Sequence, residues 1–194
     1  MKLFTNTQSG TGSQPALFLD RDGVINFDKG YVYKPENFDF FPEIFDLISF
    51  ANERNYLVII VTNQSGIGRG LYTEKQFCEL MSWMVDGFKE KNITIDGVFY
   101  SPFHPKYAKG KYLLKENTRK PGAGMFEEAF KAFNIKKENS IMIGDKITDI
   151  EAGKLAGIKN NLLLTNNMTK SNKFYISRSI KTIQSLSNAK DFIK

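Results

Sequence analysis

Short apolar runs that each stop at a polar residue constrain this chain more than any other feature. Ala16-Leu17-Phe18-Leu19 ends at Asp20, Leu57-Val58-Ile59-Ile60-Val61 ends at Thr62, and Ile141-Met142-Ile143-Gly144 ends at Asp145. Runs this short and unbroken suit strands buried on both faces, because a half-exposed strand would alternate polar and apolar residues. Val98-Phe99-Tyr100 and Leu162-Leu163-Leu164 are two more of the same kind. Between them lie segments whose apolar residues recur at three and four, the helical period. Pro42–Ala51 has proline where a first helical turn accepts it. Thr73-Glu74-Lys75-Gln76 is a capping-box pattern that opens a helix to about Lys91. Gly124–Phe133 and Ile147–Ala156, the latter closed by Gly157, complete the set. Strands alternating with helices predict an α/β fold: a doubly wound, Rossmann-like parallel sheet of five strands with helices on both faces.

Composition narrows the class. A length of 194 residues with 41% hydrophobic residues fits one domain with a real core. Cys78 is the single cysteine and His104 the single histidine, so an intrachain disulfide, a cysteine-built zinc site and a two-histidine metal cluster are all excluded. No apolar run approaches the roughly 18–20 residues that span a bilayer. Residues 1–15 are small and polar, without the apolar stretch of a secretory signal, and read as a flexible leader ahead of a single domain at 16–194. The expectation is a soluble, cytoplasmic monomer with no membrane partner. The net charge is +6, but Lys170, Lys173, Arg178, Lys181, Lys190 and Lys194 stand against Asp191 alone between residues 166 and 194. The body is therefore nearly neutral. The C-terminal segment reads as a solvated basic tail, and nucleic acid is not expected as a partner.

In doubly wound sheets the ligand crevice lies outside the carboxyl ends of the strands. Those ends carry Asp20-Arg21-Asp22-Gly23, Thr62-Asn63-Gln64-Ser65-Gly66, and Gly144-Asp145-Lys146 with Asp149 four residues beyond Asp145. If strand geometry continues, Asp20 and Asp22 project to one side. Carboxylates crowded there with Asp145 repel one another unless a cation sits among them. An all-oxygen donor set favours a hard ion, and Mg²⁺ with a phosphate substrate is its usual setting. A capping role suits Asp149 at a helix start; it does not suit Asp20, since an acid closing a buried strand needs a partner. The hydroxyl of Thr62 and the ammonium of Lys120 can hold the oxygens of a transferring phosphoryl group. Gly66-Ile67-Gly68-Arg69-Gly70 reads as a flexible turn, and it lacks the Gly-Lys-Ser/Thr ending of an ATP-binding loop.

These four stations, in this order on these strand ends, resemble the haloacid dehalogenase superfamily of phosphatases. Within it, Phe18–Asn26, Gly30-Tyr31-Val32, Val61–Gly70, Arg119-Lys120-Pro121 and Gly144-Asp145-Lys146 resemble the heptose bisphosphate phosphatases, and the histidinol-phosphate phosphatases share much of the pattern. The resemblance runs from about Leu17 to Leu164. It implies that Asp20 is a nucleophile forming an aspartyl-phosphate and that Asp22 is first general acid and then general base. It implies that Asp20, Asp22 (through its backbone carbonyl) and Asp145 bind Mg²⁺, and that Thr62 and Lys120 stabilise the phosphoryl group. Asp28, Lys29, Gly30, Tyr31, Asn63, Gln64, Ser65, Arg119 and Lys146 would contact the rest of a small phosphorylated sugar. Arg119 suits a second phosphate, which a guanidinium fork grips bidentately. Asp149 would orient Lys146 or a metal-bound water.

Relatives often carry a structural zinc in the connection before Arg119. Here the four matching positions hold Ser101, Phe103, Glu116 and Thr118, so no zinc is expected. Packing by Phe103, Tyr107, Tyr112 and Leu113 would hold the loop instead, with His104 a loop residue. The implied activity is removal of the 7-phosphate of a heptose 1,7-bisphosphate, on the way to nucleotide-activated heptose for surface polysaccharide. Histidinol phosphate or another small sugar phosphate is the alternative substrate. An alternative of another class is a catalytically silent binding module with a basic tail.

Overall fold

The computed structural model describes residues 2–5, 12–165 and 180–194. In chain order its elements are β1 (Lys2–Thr5), β2 (Ala16–Leu19), α1 (Ile44–Glu53), β3 (Leu57–Asn63), α2 (Ser65–Arg69), α3 (Glu74–Lys89), β4 (Gly97–Ser101), α4 (Gly124–Ala132), β5 (Ile141–Gly144), α5 (Ile147–Leu155), β6 (Asn160–Leu164) and β7 (Lys181–Ile183). A 3₁₀ helix at Leu186–Phe192 follows. The strands form one sheet in the order β1-β4-β3-β2-β5-β6-β7. All neighbours run parallel except β1 against β4.

The alternation of side chains along each strand divides the apolar residues between two layers. Leu17, Leu19, Val58, Ile60, Val98, Ile141 and Ile143 face one cluster, which holds Ile44, Leu47, Phe77, Leu80, Met84 and Phe88 of α1 and α3. Ala16, Phe18, Ile59, Val61, Phe99 and Met142 face the other, with Met125, Phe126 and Ala129 of α4 and Ala152 of α5. Burial on both faces is why these strands read as continuous apolar runs. The chain winds outward from β2 to β3 and β4, then returns to β5 on the other side of β2. The carboxyl ends of β2 and β5 therefore flank the point where the winding reverses, and that is where a crevice opens.

Two sequence expectations are corrected at the margins of the sheet. Residues 1–15 were expected to form a flexible leader, yet Lys2–Thr5 pairs as an edge strand with β4, and Gln14 bridges to Ile135. The strand's two apolar residues, Leu3 and Phe4, are too few to set a strand pattern, and an edge strand is fixed largely by its backbone partners. The C-terminal segment was expected to be a solvated basic tail. Instead β7 pairs with β6, Leu186 and Ala189 are buried, the Leu186 N–H donates to Glu43, and Lys190 meets Asp46 at 2.5 Å. The remainder of both expectations, residues 1, 6–11 and 166–179, lies outside the described residues. Among the described residues no helix is long and apolar enough to cross a membrane.

The start of β2 is fixed by one side chain. Ser140 Oγ accepts from the Ala16 N–H at 2.9 Å and donates to the Lys136 carbonyl at 2.6 Å, and the residue is fully buried. Replacing Ser140 with Ala strands both backbone groups. We expect a cost of about 1–3 kcal/mol, read as a drop of about 5 °C in the thermal unfolding midpoint followed by circular dichroism.

Candidate active site

Four segments carry the site, and one lysine joins them. Asp20 follows β2, Thr62 and Asn63 end β3, Lys120 precedes α4, and Asp145 and Asp149 flank the start of α5. Lys120 is almost wholly buried, and its ammonium donates in three directions: to the Val61 carbonyl at 2.8 Å, to Asp20 Oδ1 at 2.9 Å and to Asp149 Oδ1 at 2.6 Å. Three protons meet three acceptors. Burial pulls the Lys120 pKa down, but the Asp149 and Asp20 carboxylates more than reverse that, so the ammonium stays charged. The Lys120 backbone is clasped by Asn63, which accepts its N–H at 3.0 Å and donates to its carbonyl at 3.1 Å.

Asp20 Oδ1 also accepts the Arg21 N–H at 2.8 Å, while Oδ2 takes no protein donor among the described residues. Burial pushes the Asp20 carboxyl up; Lys120 opposes it and Asp149 and Asp145 add to it, leaving it at about 7. Asp145 is likewise raised by burial, against the pull of Lys146, to about 6. Carboxylates of Asp20, Asp145 and Asp149 offer oxygens within 4.8 Å of one another, and Asp145 Oδ1 is buried with no partner among the described residues. A crowded all-oxygen set with an orphaned acceptor and raised proton affinities fits a hard divalent cation. Gly23 makes the crowding possible. Its φ is +92°, and a Cβ there would lie 2.4 Å from Asp145 Oδ2.

Asp22 is turned toward a different network. Both its oxygens lie 2.6 Å from Arg21 Nη2, and it accepts from Asn26 at 3.1 Å and from Gln64 at 3.0 Å. Burial alone would raise its pKa, but the Arg21 charge and these hydrogen bonds outweigh that, and the carboxyl is held below its ordinary value. Gln64 Nε2 also donates to Thr62 Oγ1 at 2.8 Å, and its Oε1 accepts from the Tyr72 hydroxyl at 2.5 Å.

These side chains line a cavity of about 500 Å³ whose walls include Asp20, Asp22, Asp28, Gly30, Tyr31, Thr62, Asn63, Gln64, Ser65, Arg119, Lys120 and Lys146. Asp28 ties the 28–31 flap across the mouth through Lys146 Nζ at 3.3 Å. Two expected residues stand elsewhere. Lys29 pairs with Asp39 at 2.5 Å and does not line the cavity; Asp145 lines the adjoining one, although it shares the carboxylate cluster. The Gly66–Gly70 segment is not a flexible turn: Ser65–Arg69 forms α2.

Sequence reasoning missed three things. Asp149 accepts the Lys146 N–H at 2.9 Å, in line with an orienting role, but it is also the second carboxylate on Lys120. Gln64 is a buried hub rather than a mere lining residue, and Arg69 belongs to the cavity wall. Only Asp149 left a signal, its spacing from Asp145. Before Arg119, the loop limbs meet through Ser101 Oγ and Thr118 Oγ1 at 3.3 Å, and Phe103 packs edge-on against Tyr112.

Comparison with known proteins comes to the same place. A HAD-hydrolase-like family model matches residues 117–188. The chain is 46% identical over 149 residues to the D-glycero-alpha-D-manno-heptose-1,7-bisphosphate 7-phosphatase of Burkholderia mallei, covering 77% of this chain and 79% of that protein. It is 41% identical to the D-glycero-beta-D-manno-heptose-1,7-bisphosphate 7-phosphatase of Vibrio cholerae, over 78% of this chain and 82% of that one. Among solved structures, the D,D-heptose 1,7-bisphosphate phosphatase of B. bronchiseptica, complexed with magnesium and phosphate, superposes with a TM-score of 0.77 at 22% identity. That match covers 92% of this chain and 97% of the other and shows a shared fold.

The bridging ammonium yields a direct test. Lys120→Met would leave Asp20 and Asp149 buried without their cation, an uncompensated charge that typically costs about 3–5 kcal/mol. We expect the urea midpoint to fall accordingly, with no change in the denaturant slope.

Proposed function

The chain belongs to the haloacid dehalogenase-like family of heptose-1,7-bisphosphate 7-phosphatases, and from that membership and the geometry of its site we propose that it is a Mg²⁺-dependent enzyme releasing the 7-phosphate of D-glycero-D-manno-heptose 1,7-bisphosphate. The observation that carries this reading is the Lys120 ammonium held between Asp20 and Asp149 beside the orphaned carboxylate oxygen of Asp145. Asp20, the backbone carbonyl of Asp22 and Asp145 would hold the ion. When bound, Mg²⁺ offsets the charge of the carboxylates and of the phosphoryl oxygens they face.

The remaining chemistry belongs to the side chains. Asp20 attacks phosphorus through Oδ2, the oxygen free of protein donors, while the bond from phosphorus to the sugar oxygen breaks. Asp22 supplies the proton to that leaving oxygen. It is ionised in the substrate-free site, and the arriving phosphate, a like charge, raises its proton affinity. In the second half Asp22 takes a proton from water as the water oxygen attacks phosphorus; phosphate leaves and the Asp20 carboxylate is restored. Thr62, oriented by Gln64, and the Lys120 charge face the non-bridging oxygens. Lys146, Ser65 and the 28–31 flap would bound the sugar. A cytoplasmic role in supplying heptose for nucleotide activation and surface polysaccharide follows from this substrate.

The test is phosphate release from both anomers of the heptose bisphosphate, beside histidinol phosphate and fructose 1,6-bisphosphate. We expect the heptose bisphosphate to have the highest kcat/KM, activity to vanish with a chelator and return with Mg²⁺, and Asp20→Asn to lower kcat by about 10⁴-fold or more. Comparable turnover by Asp20→Asn would overturn the nucleophile assignment, and a preference for histidinol phosphate would overturn the substrate.

A further inference from the structure

A buried charge beside the cavity has no part in the chemistry above. The Arg21 side chain is wholly buried and does not line the cavity. Its guanidinium lies 6.0 Å from the Phe38 ring centroid and 5.7 Å from that of Phe77. Nε and Nη1 are buried without a hydrogen-bond partner among the described residues. Nη2 makes the contacts: it donates to both Asp22 carboxylate oxygens at 2.6 Å and to the Val32 carbonyl at 2.8 Å. Burying a guanidinium with two of its three nitrogens unpaired is costly for a fold. An apolar side chain between two phenylalanines would pack at lower cost, so stability alone does not account for this charge.

The contacts around Arg21 converge on the same carboxylate. Its backbone carbonyl accepts the N–H groups of Val24, Ile25 and Asn26 at 3.2, 2.8 and 3.2 Å, which closes a tight turn. The turn brings the fully buried Asn26 side chain to Asp22 Oδ1 at 3.1 Å, while Gln64 reaches Oδ2 at 3.0 Å. Each Asp22 oxygen is thus held by Arg21 and by one neutral amide. Of these donors only Arg21 is charged, and charge-assisted hydrogen bonds are roughly twice as strong as neutral ones. The Asp22 side chain keeps 18% exposure and lines the cavity. A carboxyl group turns easily about its last torsion, and proton transfer to a leaving oxygen tolerates little misplacement.

We propose that Arg21 is a positioning residue: anchored between Phe38 and Phe77 behind the cavity wall, it fixes the Asp22 carboxyl in the orientation from which the leaving oxygen receives its proton. The inference rests on the role given to Asp22 above and deepens it by naming the group that aims it.

Such a role shows itself in the leaving group. Nitrophenolate departs from phosphorus without a proton, whereas phenolate and a sugar alkoxide need one, so only these depend on a well-aimed Asp22. We expect Arg21→Met to lower kcat/KM for heptose 1,7-bisphosphate by about 10–100-fold. The loss on phenyl phosphate should exceed that on 4-nitrophenyl phosphate, an ester of similar shape, by about fivefold or more. Arg21→Lys, which keeps the charge and loses the fork, should show the same split at about half that size. In Asp22→Asn, which has no proton to give, adding Arg21→Met should leave the phenyl-to-nitrophenyl ratio and the heptose rate where they stand. Equal losses on the two aryl esters, or losses that add in the double variant, would mean that Arg21 only packs the fold and would overturn the proposal. Where Arg21→Met does not fold, Arg21→Lys decides: a uniform loss on all three substrates, or none, overturns it equally. If wild type hydrolyses the aryl esters but not the heptose bisphosphate, the substrate reading fails, while the ratio of the two esters still tests Arg21.

Discussion

A lysine ammonium buried between two aspartates is the interaction on which the rest of this molecule depends. Burying one charge costs several kcal/mol, and burying three groups together is tolerable only when every hydrogen is placed. Lys120 meets that condition through Asp20, Asp149 and the Val61 carbonyl, which come from the ends of three different elements. The site's geometry is thus also a closure of the fold: β2, β3 and α5 cannot shift relative to one another without stranding a charge. It also leaves Asp145 outside the bridge, with an oxygen that no donor among the described residues reaches. The same electrostatics that tie the sheet together leave beside the bridge a crowded set of carboxylate oxygens of the kind that fits a hard divalent cation.

Much of this was readable from residues alone, for identifiable reasons. Strands buried on both faces leave unbroken apolar runs, and their carboxyl ends must hold the ligand in a doubly wound sheet, so Asp20, Thr62 and Asp145 announced themselves. The helices of the core followed from their period. Contacts built by the backbone were silent. Lys2–Thr5 pairs at an edge with only Leu3 and Phe4 as apolar residues, too short a run to stand out in a polar segment, and the 3₁₀ helix at Leu186–Phe192 hides within a basic stretch because its two buried residues, Leu186 and Ala189, are too few to set a period. Asn63 and Gln64 could be placed at the site, but not assigned their work, since the clasp on Lys120 and the link from Thr62 to Asp22 join residues far apart in sequence.

The loop before Arg119 is held by several small contacts. Ser101 and Thr118 bring two hydroxyls together, and Phe103 and Tyr112 form an aromatic pair. None of these is strong alone. Together they fix the loop on both sides of the cavity wall, and Arg119 inherits its position from them through its bond to the Phe103 carbonyl.

The margins of the sheet have a consequence for how the protein behaves in a crowded solution. A seven-strand ladder ends in two rows of backbone groups that any extended peptide could zip onto. Here one margin is a four-residue strand running against its neighbour and the other is a three-residue strand. Each offers only a brief template, so a sheet with a strongly apolar interior presents little purchase to the amyloid-like stacking that longer, flatter edges invite.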